Sequence, residues 1–504
     1  MASQSFITAV RPGFDHSYAA LGNLFCSVQR LDPVSEPVLL LWNEDLAARL
    51  GWPGDPRSDP LQLQAVAGNQ ALECSQPVAT VYAGHQFGQY NPQLGDGRAT
   101  LLGEWVTEAG ERFDIQLKGA GPTPYSRGGD GRSPMGPVIR EYLVSEAMHA
   151  LGVPTTRALA AVASGEPVMR TRMEPGAILT RVASSHLRIG TVQYFAMTRG
   201  GEGLRELVDY VAARHFSKEL EGRSDEYRGN ASLVLLDAVC ERFAQLVSHW
   251  QVLGFVHGVL NTDNALLCGE TIDYGPCAFM DNFDPEACFS SIDRQGRYAW
   301  PNQPGIIHWN LAVLAECLLP LIDEDPEIAQ PLAQSVIDLY PQRFHHYHQL
   351  RLAAKLGLDH ISESDGALIQ TFHTLLASHN LDFTLAFRWL AEIANDTLDH
   401  SPLPALFVPP AALLDWAEQW KSRRNANKGD TLSITETMSQ VNPTIIPRNH
   451  LVHRAIDLAE SGETAWVKQM VSRSADPFVW RDDDLDWARA PATDERITRT
   501  FCGT

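Results

Sequence analysis

The chain has 504 residues, of which 44% are hydrophobic and 20% are charged. This is the balance of an ordinary globular protein, and the length suffices for about two to four domains or for one large two-lobed enzyme with extensions. The formal net charge is −21, from 61 acidic and 40 basic side chains, and it argues against non-specific binding to nucleic acid or to an anionic membrane. The best apolar run, 311–322, is interrupted by Glu316, so no membrane span is expected.

The N-terminus and the cysteines favour a cytoplasmic protein. The first residues lack the basic region and apolar core of a secretory signal and are not rich in arginine. The 8 cysteines are scattered, without a Cys-x-x-Cys pair that would indicate zinc or a thioredoxin-type site. Reduced thiols in the cytoplasm are therefore expected.

The N-terminal part of the chain divides in two. Residues 1–78 mix short helical patterns with Pro and Gly, and they are predicted to form an extension packed on the main body. Residues 79–196 contain short apolar runs that predict strands. These predicted strands are 99–104, 112–117 and 177–182. One helix is predicted among them, at 137–151, because Pro137 suits its first turn and a Gly and a Pro follow its end.

The rest of the chain has mostly helical periodicity up to about residue 420. The predicted helices are 204–213, 232–254, 307–322 and 326–356. Loops at 257–275 interrupt them, and the basic segment 421–428 is predicted to be an exposed loop. Residues 197–470 are therefore predicted to be a helical lobe, and 471–504 a C-terminal tail. This order is typical of an α+β, bilobal, protein-kinase-like fold with a β-rich N-lobe, a helical C-lobe and a nucleotide between them.

The most informative motif is His257-Gly-Val-Leu-Asn-Thr-Asp-Asn264, followed nine residues later by Asp273-Tyr-Gly275. Kinase-like phosphotransferases use an Asn on one such loop, and the Asp of an Asp-aromatic-Gly turn, to hold metal against a triphosphate. Asn264 and Asp273 fit these roles. Val259 stands where small-molecule kinases of His-Gly-Asp type carry their base, and valine cannot accept a proton. The base is therefore predicted to be lost or moved, with Asp263 the nearest replacement.

Basic side chains near the predicted strands are candidates to bind phosphates. Lys118 ends a strand and Glu141 lies on the helix, the arrangement by which kinases orient an ammonium on nucleotide phosphates. The alternative is a surface lysine and a solvated glutamate. Arg181 and Arg188, near the end of another strand, are candidates to clamp a terminal phosphate. Surface salt bridges are the alternative for these two arginines.

Two glycine-rich segments flank Lys118. In Gly95-Asp-Gly-Arg98, Gly95 and Gly97 would let backbone N–H groups approach phosphates, with Arg98 as an added cation. A simple hairpin turn is the alternative. The segment 119–132 contains five glycines and two arginines, cannot bury an apolar face, and is predicted to be a loop that faces an anion. The alternative for it is a flexible loop.

Together with Tyr82-Ala-Gly-His-Gln-Phe-Gly88, these segments resemble the selenoprotein O (YdiU) family of kinase-fold protein adenylyltransferases, most densely from 82 to 300. The resemblance implies transfer of AMP from ATP to Ser, Thr or Tyr hydroxyls of proteins, with ATP inverted relative to ordinary kinases. It implies Mg²⁺, or Mn²⁺ as a second candidate, held by Asn264 and Asp273, and Asp263 as the proton acceptor. The residues that it implies for nucleotide binding are Gly95, Gly97, Arg98, Lys118, Asp130, Gly131, Arg181, Arg188 and Asp273.

The resemblance also implies a redox-active cysteine near the C-terminus. Cys502, in Phe-Cys-Gly-Thr, matches it, and Cys288 is the best match for its partner beyond the metal-binding Asp. A disulfide between the two is one expectation, and a buried Cys288 with a free tail thiol is the other.

Three functions remain open at this point. The favoured one is an AMP transferase that acts on proteins. The others are a phosphotransferase that uses ATP in the ordinary orientation, and a non-catalytic nucleotide-binding pseudokinase scaffold. The joint presence of Lys118, Glu141, Asn264 and Asp273 argues against the scaffold. The protein is expected to be a monomer. Its expected partners are ATP and proteins with hydroxyl side chains, and neither nucleic acid nor membrane is expected to bind. The sequence does not indicate whether ATP or UTP is preferred.

Overall fold

The computed structural model describes residues 12–198, 201–223, 225–427, 431–481 and 483–501. Its strands are β1 Gly13–Asp15, β2 Cys26–Val28, β3 Val38–Trp42, β4 Val78–Thr80, β5 Gly84–Gln86, β6 Gln89–Asn91, β7 Ala99–Val106, β8 Arg112–Lys118, β9 Ser133–Pro134, β10 Arg157–Met169, β11 Met173–Ala183, β12 Phe255–Val256 and β13 Ala278–Phe279. Its α-helices are α1 Glu44–Leu50, α2 Pro60–Val66, α3 Met135–Ala150, α4 Ile189–Met197, α5 Leu204–His215, α6 Ser217–Arg223, α7 Ala231–Leu253, α8 Gln303–Ile322, α9 Pro326–Ile337, α10 Tyr340–Leu356, α11 Gly366–Ser378, α12 Phe383–Ala394, α13 Ala411–Asn425, α14 Thr431–Val441, α15 Asn449–Glu460, α16 Ala465–Ser474 and α17 Leu485–Ala488.

One antiparallel sheet of nine described strands forms the N-terminal half of the fold. Its order is β2-β4-β7-β8-β11-β10-β3, with β1 beside β7 and β9 beside β11. The prediction of a fold that mixes helices with a sheet is therefore confirmed. The first 78 residues, predicted as an extension, supply β1, β2 and β3 to this sheet, and the domain boundaries themselves stay a prediction.

Apolar side chains alternate along β11, so that the sheet buries both faces. Ile178 and Val182 pack in a cluster with residues of α1 and α2. Ala177 and Leu179 belong to a larger cluster that continues through α3 into α7 and α8. Because α3 lies within this larger cluster, it carries polar side chains such as Glu141, which is 3% exposed, into the interior.

The helical periodicity beyond residue 204 is confirmed, with two differences. The pattern at 326–356 forms two helices, α9 and α10, which are separated at residues 338–339. The segment 421–428 was predicted as an exposed loop, but residues 421–425 are the last turn of α13. The reason is that Trp420 in the preceding turn is fully buried, and Arg423 reaches back to Asp365 with 2.7 Å between Nε and Oδ1.

One segment has the length and composition that a membrane span requires. Within the described residues, Trp300–Ile322 meets both criteria, and half of the tested window is buried inside the protein. This corrects the expectation that no segment qualifies, because the segment begins 11 residues before the apolar run 311–322 on which that expectation rested. The core helix of a soluble protein meets the same criteria, so the finding is weak evidence for a span.

Candidate active site

A short ladder holds two loops of the site side by side. The strands β12 and β13 pair antiparallel, so the loop after β12 starts where the loop before β13 ends. Nε2 of His257 in the first loop lies 2.8 Å from the carbonyl oxygen of Ile272 in the second. Burial lowers the pKa of His257 to about 4, so at neutral pH the ring is an uncharged link between the loops.

A cavity of about 750 Å³ lies between these loops and the sheet. It brings together all the residues that were predicted to bind the nucleotide, to bind the metal or to accept the proton. These lining residues are Gly95, Gly97, Arg98, Lys118, Asp130, Gly131, Glu141, Arg181, Arg188, Asp263, Asn264 and Asp273.

Glu141 joins two cations in the wall of the cavity. Its Oε2 lies 2.5 Å from Nζ of Lys118, and its Oε1 lies 2.5 Å from Nη2 of Arg181. The side chains of all three residues are 10% exposed or less, so neither the lysine nor the glutamate is the solvated surface group of the alternative interpretation. Burial opposes ionisation of Glu141, but the charges of Arg181 and Lys118 outweigh it and lower its pKa.

Asp273 faces the same two cations from the loop side. Its Oδ1 lies 3.0 Å from Nζ of Lys118 and 3.0 Å from Nη2 of Arg181, and its Oδ2 lies 3.9 Å from Arg188. Against the effect of burial, these charges hold the pKa of Asp273 well below its ordinary value. The backbone φ of Asp273 is 62°, a strained left-handed conformation that is common at functional sites.

Arg188 connects the cavity wall to the loop after β12. Its guanidinium stacks on the ring of Tyr82 at 4.2 Å, and its Nη1 donates to the carbonyl oxygen of Asp263 at 2.8 Å. Arg181 and Arg188 are 2% and 3% exposed, so the alternative of surface salt bridges is wrong for both. Two buried guanidinium groups that face one cavity favour an anionic ligand there.

The loop after β12 carries Asn264, one of the two predicted metal ligands. Nδ2 of Asn264 donates to the carbonyl oxygen of Val259 at 3.0 Å, which leaves the amide oxygen of Asn264 for a ligand. That oxygen and the carboxylate of Asp273 are the donors that Mg²⁺ prefers, because it is usually held by one or two carboxylates together with substrate phosphates. No group of three His, Cys, Asp or Glu suited to a metal occurs among the described residues, so a metal here would depend on such shared ligands.

Asp263 has one satisfied and one unsatisfied carboxylate oxygen. Its Oδ2 accepts from Nε2 of Gln86 at 2.9 Å, whereas its Oδ1 has no hydrogen-bond partner in the described part of the chain. A Cβ on Gly84 would lie 2.5 Å from that Oδ1, so only glycine leaves room for the carboxylate. Burial raises the pKa of Asp263 above its ordinary value.

The glycines of the predicted phosphate loops have packing reasons of their own. Gly95 has a φ of 138°, and a Cβ on it would lie 2.4 Å from the ring of Tyr125. Gly131 has a φ of 64°, and a Cβ there would overlap the backbone of Gly121. Asp130 forms an ion pair of 2.8 Å with Arg170. Their role towards phosphate stays a prediction.

The sequence-based prediction did not include three residues that line the cavity beside Asp263. Gln86 and Tyr82 lie in the segment 82–88, which carried the family resemblance but received no role. Asn261 was also missed, although its Oδ1 accepts from the hydroxyl of Tyr298 at 2.5 Å and from N of Phe87 at 3.2 Å. The only sequence signal for these residues was their place inside unusually specific segments.

The redox prediction falls partly outside the described residues. Cys502 lies beyond them, while Cys288 is partly buried, with Sγ 3.7 Å from Oδ2 of Asp293. Burial and the nearby Asp293 raise the pKa of Cys288. The backbone N of Thr500 donates to O of Phe289 at 2.8 Å, so the chain passes Cys288 shortly before it reaches Cys502. The disulfide stays a prediction.

Comparison with known proteins identifies the class. The family model described as "Protein adenylyltransferase SelO" matches residues 9–475. A protein nucleotidyltransferase YdiU of Rhizobium etli (strain CIAT 652) is 47% identical over 493 residues, which is 97% of each chain. A YdiU of Rhodopseudomonas palustris (strain BisB5) is 47% identical over 492 residues, 97% of this chain and 99% of the relative.

These matches cover nearly the whole chain and the cavity with it. The protein is therefore an enzyme of the protein nucleotidyltransferase class. The chain belongs to the SelO family of protein adenylyltransferases, and the resemblance drawn from its motifs is confirmed.

Proposed function

We propose that the chain transfers AMP from ATP to Ser, Thr or Tyr hydroxyls of other proteins, with Mg²⁺ and with Asp263 as the base. The observation that carries this proposal is Oδ1 of Asp263, which has no hydrogen-bond partner among the described residues. It lies at the wall of a cavity that Lys118, Arg181 and Arg188 also line. A buried carboxylate with a raised pKa and a free lone pair is suited to accept a proton.

The cleft is proposed to lie between two kinase-like lobes. The nine-stranded sheet with α3 supplies Lys118, Glu141 and Arg181, and the helices around α7 and α8 support the loops that carry Asp263 and Asp273. The deep position of Arg181 and Arg188 supports an inverted ATP, because the terminal phosphates would then need cations far inside the cavity. The α-phosphate would be left towards the opening.

In the proposed reaction, the substrate hydroxyl oxygen forms a bond to the α-phosphorus and the bond to the bridging oxygen of the β-phosphate breaks. The hydroxyl proton passes to Oδ1 of Asp263, and pyrophosphate leaves. Asn264 and Asp273 would hold Mg²⁺, which when bound offsets phosphate charge. Lys118, Arg181 and Arg188 would orient the triphosphate and bind the negative charge of pyrophosphate as it departs.

ATP labelled at either the α- or the γ-phosphate tests the proposal. We expect α-label, and no γ-label, on Ser, Thr or Tyr of acceptor proteins, as located by mass spectrometry. Transfer of the γ-label instead of the α-label, or transfer of neither label, would overturn the proposal. The same assay with α-labelled UTP determines whether the nucleotide is ATP, since the relatives are named only as nucleotidyltransferases.

A further inference from the structure

A second cavity, of about 620 Å³, lies between the β7–β8 turn, the end of α5 and the middle of α7. It shares no lining residue with the nucleotide cavity, and its volume is in the usual range for a small ligand. Among the residues that the structure describes, the charged side chains that line it are Arg112, Arg214 and Arg242, and no carboxylate does. In a chain of net charge −21, such a wall is a local concentration of positive charge.

Two of these arginines are held by neighbouring groups and stay partly exposed. Nη1 of Arg112 lies 2.6 Å from Asp15 and 3.0 Å from Glu104 and donates to Ser17, so one nitrogen makes all of these contacts, although a guanidinium has five N–H groups. Arg242 stacks on Phe216 at 4.2 Å, and it donates from Nη2 to the carbonyl oxygen of His215 at 2.7 Å and from Nη1 to that of Cys268 at 3.3 Å. The side chains of Arg112 and Arg242 are 31% and 30% exposed, so both remain accessible from the cavity.

The third arginine is nearly buried and has an unsatisfied donor. The side chain of Arg214 is 7% exposed, and its Nη2 lies 2.6 Å from Oδ1 of Asp114 and 2.6 Å from the carbonyl oxygen of Ser184. Its Nε has no hydrogen-bond partner within the described ranges. A buried donor without an acceptor is rare in folded proteins, and here it lies beside an open cavity.

We propose that this second cavity binds a small molecule that carries a phosphate group. Asp15 and Glu104 contact Arg112, Asp114 contacts Arg214, and Glu219 contacts Arg242. Each guanidinium is therefore fixed by a carboxylate that is not among the described residues that line the cavity. The hydroxyls of Ser17 and Tyr210 line the same wall, where that of Ser17 donates to Glu104 and that of Tyr210 accepts from Nη1 of Arg214 at 3.0 Å. Forked arginine donors bind phosphate oxygens in pairs, which selects phosphate over a simple halide.

The test is isothermal titration calorimetry with inorganic pyrophosphate in metal-free buffer. The full-length Lys118→Ala variant serves as the background, because it weakens phosphate binding in the nucleotide cavity. We expect the background to bind pyrophosphate, and the further change Arg112→Gln or Arg242→Gln to weaken that binding about tenfold or more, as for loss of a charged hydrogen bond. Arg57→Gln, which alters an arginine paired with Asp55 on the surface, is the matched control and is expected to change nothing.

Two independent variants keep the test decisive. If Arg112→Gln disturbs folding, Arg242→Gln still tests whether the cavity binds pyrophosphate. In either variant Glu104 keeps the hydrogen bonds that it accepts from the backbone N of Ser17 and of Tyr18. The proposal is overturned if the background binds no pyrophosphate, or if both glutamine variants bind it as tightly as the background does.

Discussion

At the scale of single residues, the proposed chemistry depends on the ionisation of Asp263. Because burial raises its pKa, the transfer rate is expected to fall as the pH drops through a midpoint above the ordinary value of about 4. Asp263→Asn is expected to lower the rate about 10²-fold or more, since the amide cannot accept the proton. Initial rates of α-phosphate labelling between pH 4 and 8 measure both effects. An asparagine variant with the wild-type rate would assign the base elsewhere.

Gly84 gives a second test of the same carboxylate. A Cβ at this position would lie 2.5 Å from Oδ1 of Asp263 and 2.9 Å from Cδ1 of Leu94, so Gly84→Ala has to displace the carboxylate. A displacement of about 1 Å is expected to cost about 10²-fold in transfer rate, with a small change in melting temperature. Gly222→Ala is the control, because a Cβ there meets nothing within 4 Å. Equal rates in the two variants would contradict the proposed position of Asp263.

Asp273 competes with phosphate for the same cations. Asp273→Asn removes the charge that Lys118 and Arg181 contact at 3.0 Å, so without Mg²⁺ the nucleotide is expected to bind as tightly as in the wild type or more tightly. With Mg²⁺, transfer is expected to be lost, because removing a metal carboxylate costs several kcal/mol of charge stabilisation. Calorimetry with ATP and the labelling assay separate the two effects. Loss of ATP binding in the absence of Mg²⁺ would show that Asp273 contributes to the nucleotide site in another way.

At the scale of secondary structure, elements that local sequence determines could be predicted, whereas elements that depend on contacts with distant residues could not. Pro and Gly punctuation predicted a helix at 137–151, and the structure has α3 at Met135–Ala150. The strands β1 and β2 have three residues each, and what fixes them is pairing with distant residues, as Cys26 pairs with Thr80. For the same reason the motif loops were visible in the sequence, but the contact of Gln86 with Asp263, across 177 positions, was not.

A buried arginine links three elements of the helical part. Arg448, fully buried at the start of α15, lies 2.6 Å from Asp281 and 2.8 Å from Asp382, and its Nε donates to the carbonyl oxygen of Ala488 at 3.0 Å. Arg448→Met leaves two carboxylates without their cation and is expected to lower the free energy of unfolding by about 3–5 kcal/mol. Denaturant titration measures this change.

The surface change Arg57→Met is the control for Arg448→Met. Because the Arg57 side chain is 49% exposed, its removal is expected to change the free energy of unfolding by about 0.5 kcal/mol or less. Similar values for the two variants would mean that the buried network adds no stability beyond that of a surface pair.

At the scale of the whole molecule, histidines buried in the neutral form make stability depend on pH. Burial lowers the pKa of His257 and His450 to about 4 and that of His215 and His249 to about 3. The unfolded chain takes up protons at these sites below about pH 6.5, whereas the folded protein does not until about pH 4. Their contribution to stability is therefore complete above about pH 6.5 and is lost as the pH falls towards 4.

The melting temperature is accordingly expected to be lower at pH 5 than at pH 7, in scanning calorimetry at constant ionic strength. His450 is 7% exposed, and neither ring nitrogen has a hydrogen-bond partner in the described structure. His450→Gln is therefore expected to reduce the slope of melting temperature against pH. The same change at the exposed His400 is expected to leave it unaltered. A slope that is equal in all three proteins would mean that other groups cause the pH dependence.

The pairing of Thr500 with the segment after Cys288 has a practical consequence for handling the enzyme. Thr500 bonds to Phe289 and Ser291, and Ile292, one residue further, lines the nucleotide cavity. An affinity tag fused after Thr504 would be attached four residues beyond Thr500, and four residues of fully extended chain span at most about 14 Å. Such a tag would lie within reach of this wall of the cavity, where the proposed transfer to protein substrates would take place. Activity measured with a C-terminal tag should therefore be compared with that of protein tagged at the N-terminus or with the tag removed.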